Sequence, residues 1–185
     1  MNTDGMNCAL SREYPKASCG MTVETSLTFT PVDLKKHFDH CVRFSMDASV
    51  CSFGSAQHFV ERAGEGAAKY LQWLRELTGQ WPGSVVHVWQ GERIVGQVEL
   101  SILANDPTAG YVNLLYVVPQ VRRHGLGRHL ETYAQAYLSA KGCRALRLSV
   151  HPDNTAAWQF YRHLGWEDLG RREGGSGVHL LQKHL

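Results

Sequence analysis

Apolar positions in this chain switch repeatedly between a spacing near two and a spacing near 3.6, the periods of strands and helices. Glu24 to Phe29 resembles a short strand, after which Thr30, Pro31 and Asp33 open a helix with Leu34, Phe38, Cys41 and Val42 on one face. Ser52, Phe53, Gly54 and Ser55 break that pattern. A weaker helical stretch follows, interrupted by Gly64 and Gly66; Tyr70, Leu74 and Leu77 resume the spacing before Trp81, Pro82 and Gly83 end it. Val85, Val86 and Val88, a Gln90-Gly91 turn, and Ile94, Val98, Leu100 and Ile102 alternating with Gln97, Glu99 and Ser101 predict an antiparallel hairpin.

Beyond a loop at Asn105, Asp106 and Pro107, the near-continuous apolar run from Tyr111 to Val118 has the length and β-branched content of a buried central strand, closed by Pro119. Leu126, Leu130, Tyr133, Ala134, Tyr137 and Leu138 repeat at helical spacing, with Gly142 as the stop. Ala145 to Val150 reads as another strand, ended by His151 and Pro152. Asp153 or Asn154 then caps a helix carrying Ala157, Phe160, Tyr161 and Leu164, which Gly165 terminates. Trp166 to Arg172, a turn at Gly174 to Gly177, and Val178 to His184 form a closing strand pair. Residues 1–20 carry neither period and are expected to be a disordered leader, leaving one domain over 21–185.

The 185 residues are 43% hydrophobic and 19% charged, which excludes a disordered or fibrous chain. A net charge of +2 is too mild for a nucleic-acid partner. No apolar run approaches the roughly 20 residues that span a bilayer, and the first twenty lack a secretory h-region, so the expectation is a cytoplasmic protein without a membrane partner. Five cysteines with no CxxC pair disfavour a disulfide framework and a zinc knuckle. His37 and Cys41, four apart, have no second ligand pair to complete a metal site, and none is expected.

The chemistry concentrates in Val117 to Arg128, where a buried strand runs through a basic, glycine-punctuated turn into a helix. Such a turn suits phosphate: glycine admits a close anion, the first helical N–H groups lack partners, and the macrodipole adds positive charge. Arg122, Arg123 and Arg128 add full charges. A Rossmann fingerprint needs a third glycine where Leu130 stands, and a Walker A loop needs a Gly-Lys-Ser/Thr ending that is absent.

Arg122-Arg123-His124-Gly125-Leu126-Gly127 fits the phosphate loop of the GNAT superfamily of acyl-CoA-dependent N-acetyltransferases at every fixed position. Asn154 to Trp166, an Asn before an Ala-containing helix with the pair Phe160-Tyr161 and a Leu-Gly-Trp ending, resembles the family's second landmark. The resemblance, covering about 24–184, implies an α/β (α+β) fold: a mixed, twisted central sheet with helices on both faces, splayed between Leu114 to Val117 and Ala145 to Val150. It further implies acetyl-CoA as cosubstrate and no metal. Backbone groups of Leu115, Tyr116 and Val117 would hold the pantetheine arm, one amide there polarising the thioester carbonyl. Arg122, Arg123, His124, Gly125, Leu126, Gly127 and Arg128 would surround the pyrophosphate, and Asn154 would reach the pantetheine, cap its helix, or both.

Amide formation by direct attack needs a neutral amine, a stabilised oxyanion and a proton for the departing thiolate. Tyr161 matches the family's proton donor. The strand glutamate that many members use as base is replaced here by Ser149, which cannot serve; Glu99 is the substitute candidate, with His151 and His179 behind it. The acceptor would lie near Phe44 to Ser55, with Asp47 and Phe53, and near the aromatics from Trp73 to Trp89. The resulting expectation is transfer of an acetyl group to a primary amine of a small molecule, peptide or protein. The alternative is a non-catalytic acyl-CoA-binding module. Family members are often homodimers, which extends the partner expectation to a second copy.

Overall fold

A computed structural model describes residues 26–174 and 177–185; the expected leader at 1–20 and Glu24 lie outside the described residues. Strand β1 (Leu27–Pro31) leads to helix α1 (Leu34–Phe53), α2 (Gln57–Ala63) and α3 (Ala68–Gln80). Strands β2 (Val85–Gln90), β3 (Arg93–Leu103) and β4 (Asp106–Val117) follow, then α4 (Leu126–Ala140), β5 (Ala145–Val150), α5 (Thr155–His163), β6 (Glu167–Arg171) and β7 (His179–His184). Pro31 ends β1 rather than opening a helix; Asp33 starts α1, its Oδ1 accepting from the amides of Lys35 and Lys36 at 3.0 and 3.3 Å. The loop expected at 105–107 is shorter, because Asp106 already pairs with Leu103.

Among the described residues one sheet holds seven strands in the order β1-β2-β3-β4-β5-β7-β6, and only β4 and β5 run parallel. Helices cover both faces. On one, Val86, Val98, Leu100, Leu146, Leu148 and Val150 pack with Leu130, Ala134 and Leu138 of α4, while Ala157, Tyr161 and Leu164 of α5 join the rim. On the other, Val85 packs with Cys41 of α1 and Leu74 and Leu77 of α3, joined by Leu34 and Phe38; Val42 lies outside this cluster. Because the hairpin is covered on both sides, its polar face is buried too: Gln97 is 0% and Glu99 3% exposed.

The sheet opens at its only parallel junction. β4 and β5 pair solely through Ala109–Ala145, Gly110–Leu146 and Tyr111–Arg147. β5 stays registered with β7 along its whole length, so it is β4 that departs. The departure coincides with a bulge: Glu99 faces Leu114 and Leu100 faces Val112, leaving Asn113 without a partner. An extra residue bends a strand and increases its twist. The gap therefore separates 112–117 from 148–150, whereas Ala145 to Arg147, expected to line it, are paired.

Candidate active site

Among the described residues the backbone groups of β4 that point away from β3 beyond Tyr111 have no strand partner, which leaves a ladder open at Leu115 and Val117; Tyr116, paired with Gln97, turns its amide and carbonyl to β3 and does not offer the backbone groups expected of it. One of these groups is engaged from within the chain: Arg122 Nε donates to the Val117 carbonyl at 2.8 Å. Tyr116 projects to the α1 side, stacked on Phe44 at 4.6 Å between ring centroids, and its hydroxyl donates to Asp47 Oδ2 at 2.8 Å. Burial and then the Asp47 carboxylate raise that phenol above the usual tyrosine range.

At the end of β4 the chain turns through a short 3-10 segment, Pro119–Val121, into α4. Gly125, the residue before α4, has φ 81, and Arg123 is one of the non-glycine residues with positive φ, at 69. Among the described residues no side chain caps α4, and no acidic residue occupies its first turn. Among the described residues the amides of Gly125, Leu126 and Gly127 have no acceptor, an anion-binding arrangement at the positive end of the macrodipole. Arg123, His124 and Arg128 are exposed around it. Arg122 is committed elsewhere: its Nη2 lies 2.6 Å from Asp47 Oδ2 and its Nη1 3.6 Å from Cys51 Sγ. Gly127 is required by packing, since a Cβ there would stand 2.9 Å from the Phe160 ring.

Asn154 caps α5, its Oδ1 accepting from the Ala157 amide at 3.1 Å, and its Nδ2 donates to Ser52 Oγ at the end of α1. Tyr161 is half-buried, edge-on to Phe160 and Trp166, and its hydroxyl has no partner among the described residues. Burial, reinforced by the Glu131 carboxylate, holds its phenol above the ordinary range and so protonated at neutral pH. Glu131 is itself 2% exposed and bound by Lys183 Nζ at 2.6 Å and Trp166 Nε1 at 3.3 Å.

Glu99 is enclosed. Tyr70 donates a short hydrogen bond to its Oε1, Gln97 Nε2 donates to the same oxygen at 2.6 Å, and Ser45 Oγ lies 2.8 Å from the Tyr70 hydroxyl. Burial pushes Glu99 up to about 7 despite these donors, and drives the neighbouring His87, bonded to Gln97 Oε1 at 3.0 Å, down to about 4. Ser149, at the position the resemblance gives to a base, accepts from the Tyr111 hydroxyl at 2.8 Å across the closed end of the gap. His151 packs against Phe53, and His179 pairs with Asp168 at 3.1 Å.

Several of these partnerships are invisible to periodicity, because Asp47 and Arg122, or Tyr111 and Ser149, meet only through the topology. Glu131 did carry a signal: it stands three and seven residues before Ala134 and Leu138, inside the apolar stripe of α4.

A mixed sheet that opens beside an uncapped, basic helix start offers a path for an extended ligand with an anionic end. The sequence profile of the Acetyltransferase (GNAT) family matches residues 49–166, and the chain belongs to that family of acyltransferases. It is 26% identical over 104 residues to N-alpha-acetyltransferase 30 of Schizosaccharomyces pombe, across 55% of this chain and 68% of the relative. It is 36% identical over 64 residues to the thialysine N-epsilon-acetyltransferase of Mus musculus, across 35% of this chain and 38% of that one. A 55-residue stretch, 30% of this chain, is 42% identical to the mycothiol acetyltransferase of Saccharopolyspora erythraea and spans 18% of it. Among solved folds, the PaiA N-acetyltransferase of Thermoplasma acidophilum, crystallised with coenzyme A, superposes with a TM-score of 0.68 at 17% identity, over 86% of this chain and 99% of its own. Ard1 of Thermoplasma volcanium gives 0.65 at 18% identity, over 86% and 97%.

Proposed function

We propose that this chain moves an acetyl group from acetyl-CoA to a primary amine by direct attack. The observation that carries this reading is the continuity of the gap beside Leu115 to Val117 with the amides of Gly125, Leu126 and Gly127, which have no acceptor among the described residues. An extended ligand with a pyrophosphate at one end fits that path, and the coenzyme A complex of the PaiA relative supports it. Backbone groups of Leu115 and Val117 hold the pantetheine, and an amide there polarises the thioester carbonyl. The start of α4 holds the pyrophosphate, with Arg123, His124 and Arg128 adding charge around it.

The amine lone pair attacks the thioester carbon, an amide C–N bond forms, and the C–S bond breaks. Tyr161 gives its proton to the departing thiolate. The proton leaving the attacking nitrogen passes to Glu99, directly or through water; a carboxylate pushed up to about 7 is matched to that task at neutral pH.

Calorimetric titration with acetyl-CoA, beside CoA and ATP, tests the reading. One-to-one binding of both CoA ligands and none of ATP is expected, followed by thiol release on adding an amine. Binding of ATP with equal strength, or of neither CoA ligand, would overturn it.

A further inference from the structure

Three segments distant in sequence converge at the closed end of the gap. Tyr111 is the last residue of β4 that pairs with β5, Ser149 lies on β5, and Arg172 follows β6. Arg172 Nη1 donates to the Tyr111 hydroxyl at 3.0 Å and to Ser149 Oγ at 3.2 Å, and its Cζ stands 5.5 Å from the Tyr111 ring centroid. The guanidinium is thus held across both strands, on the face that carries α1 and α3.

Two other arginines beside the sheet are satisfied in a way that it is not. Arg147, also on β5, has Asp106 at 3.0 Å and Gln182 at 2.8 Å; Arg122 has Asp47. Among the described residues no carboxylate comes within ion-pair distance of Arg172, which meets only neutral hydroxyls. Tyr111 spends its proton on Ser149, so the Ser149 O–H and most of the Arg172 fork remain uncommitted. A planar fork beside a hydroxyl donor matches the two oxygens of a carboxylate.

The position separates this cation from the cofactor's phosphates. From Tyr111 to the end of β4 at Val117 the strand covers about 20 Å at its usual rise, and the phosphate turn lies beyond that end. We propose that Arg172, with Ser149, is the acceptor's anion subsite, and that the preferred amine carries a carboxylate: the α-carboxylate of an amino acid or an acidic side chain beside a peptide N-terminus. This rests on the acetyltransferase reading and deepens it by naming the acceptor class.

The test compares matched acceptors on the full chain: alanine with alaninamide, and a short peptide with Asp at its second residue with the same peptide carrying Asn. A preference for alanine alone assigns the subsite to an α-carboxylate, and a preference for the Asp peptide alone assigns it to an acidic side chain. The carboxylate member should win by about tenfold in kcat/KM, the worth of a charge-assisted contact at a partly exposed site. In Arg172→Gln the ratio should fall to within about twofold, while Arg172→Lys keeps part of it. Acetyl-CoA affinity should not change in either variant.

Ligand-observed NMR on the CoA complex supplies a readout that needs no turnover, and there too the carboxylate member should bind only when Arg172 is present. Equal use or binding of both members by the wild-type chain, an unchanged ratio in Arg172→Gln, or capture of neither member would overturn the subsite while leaving the transferase reading intact. Failure to bind acetyl-CoA at all would instead overturn that reading, and this one with it.

Discussion

Arg122 Nη2 and Asp47 Oδ2 lie 2.6 Å apart, joining the turn after β4 to helix α1. The same carboxylate oxygen accepts from Tyr116, and Arg122 Nε holds the Val117 carbonyl, so this one arginine connects the helix, the open edge of β4 and the phosphate turn. The charge that sequence alone assigns to the pyrophosphate is therefore spent on orienting the turn. Arg122→Ala should lower stability by about 1–2 kcal/mol, since the pair is partly exposed and worth little beyond its hydrogen bonds. It should weaken acetyl-CoA far less than disruption of the turn itself. Chemical denaturation and calorimetry read the two effects separately.

The glycines of the turn fail in different ways when replaced. Gly125 has φ 81 and open space around its Cβ position, so Gly125→Val strains the backbone without touching the core. Acetyl-CoA affinity should be lost while the far-UV spectrum stays native. Gly127→Ala drives a methyl into Phe160 and should cost about 1–3 kcal/mol, as overpacking does. Combining it with Phe160→Leu should recover most of that loss, which the melting temperatures of the single and double variants would reveal.

Tyr161 has a hydroxyl without a partner among the described residues and a proton held by burial and by Glu131. Tyr161→Phe removes one oxygen from a ring that otherwise packs on Phe160 and Trp166. If that oxygen delivers the leaving-group proton, turnover should fall about a hundredfold, within the range of general acid catalysis. Acetyl-CoA affinity should hold nearly constant. A variant with unchanged kcat would reduce Tyr161 to a packing residue.

Local signals carried most of the element order because each is written in nearest neighbours: Asp33 before α1, Gly54 after it, Gly91 in the hairpin turn, Asn154 before α5. The phosphate turn was legible for the same reason, its residues being contiguous. What alternation alone could not tell was which polar faces are covered. Gln97 and Glu99 alternate with apolar neighbours as an exposed strand face would, yet α1 and α3 close over them, and that depends on contacts between Tyr70 and Glu99 across 29 positions. The bulge at Asn113 and the early end of the β4–β5 pairing are likewise properties of three strands together.

The buried pair of Glu99 and His87 makes opposite demands on pH, and substitution separates them. A carboxyl raised to about 7 in the folded chain, against an ordinary 4.5, binds more protons folded than unfolded between those values. Its contribution to stability is full below about 4.5 and is lost as pH rises toward 7. His87, lowered to about 4, does the reverse: its contribution is present above 6.5 and lost as pH falls toward 4. The wild-type profile is a sum in which the two partly cancel. Glu99→Gln keeps an acceptor for Tyr70 and Gln97 but removes the titration, so stability relative to wild type should improve steadily from pH 4.5 to 7 and level off above it. Denaturant midpoints of both proteins at pH 5 and pH 8 measure that difference, and an equal offset at the two values would show that Glu99 is ionised in the folded chain throughout. The same variant, assayed with acetyl-CoA and a saturating amine, should lose the acidic limb near 7 from its kcat profile if Glu99 is the base. An altered stability profile with an unaltered kcat profile would assign the network to the fold alone.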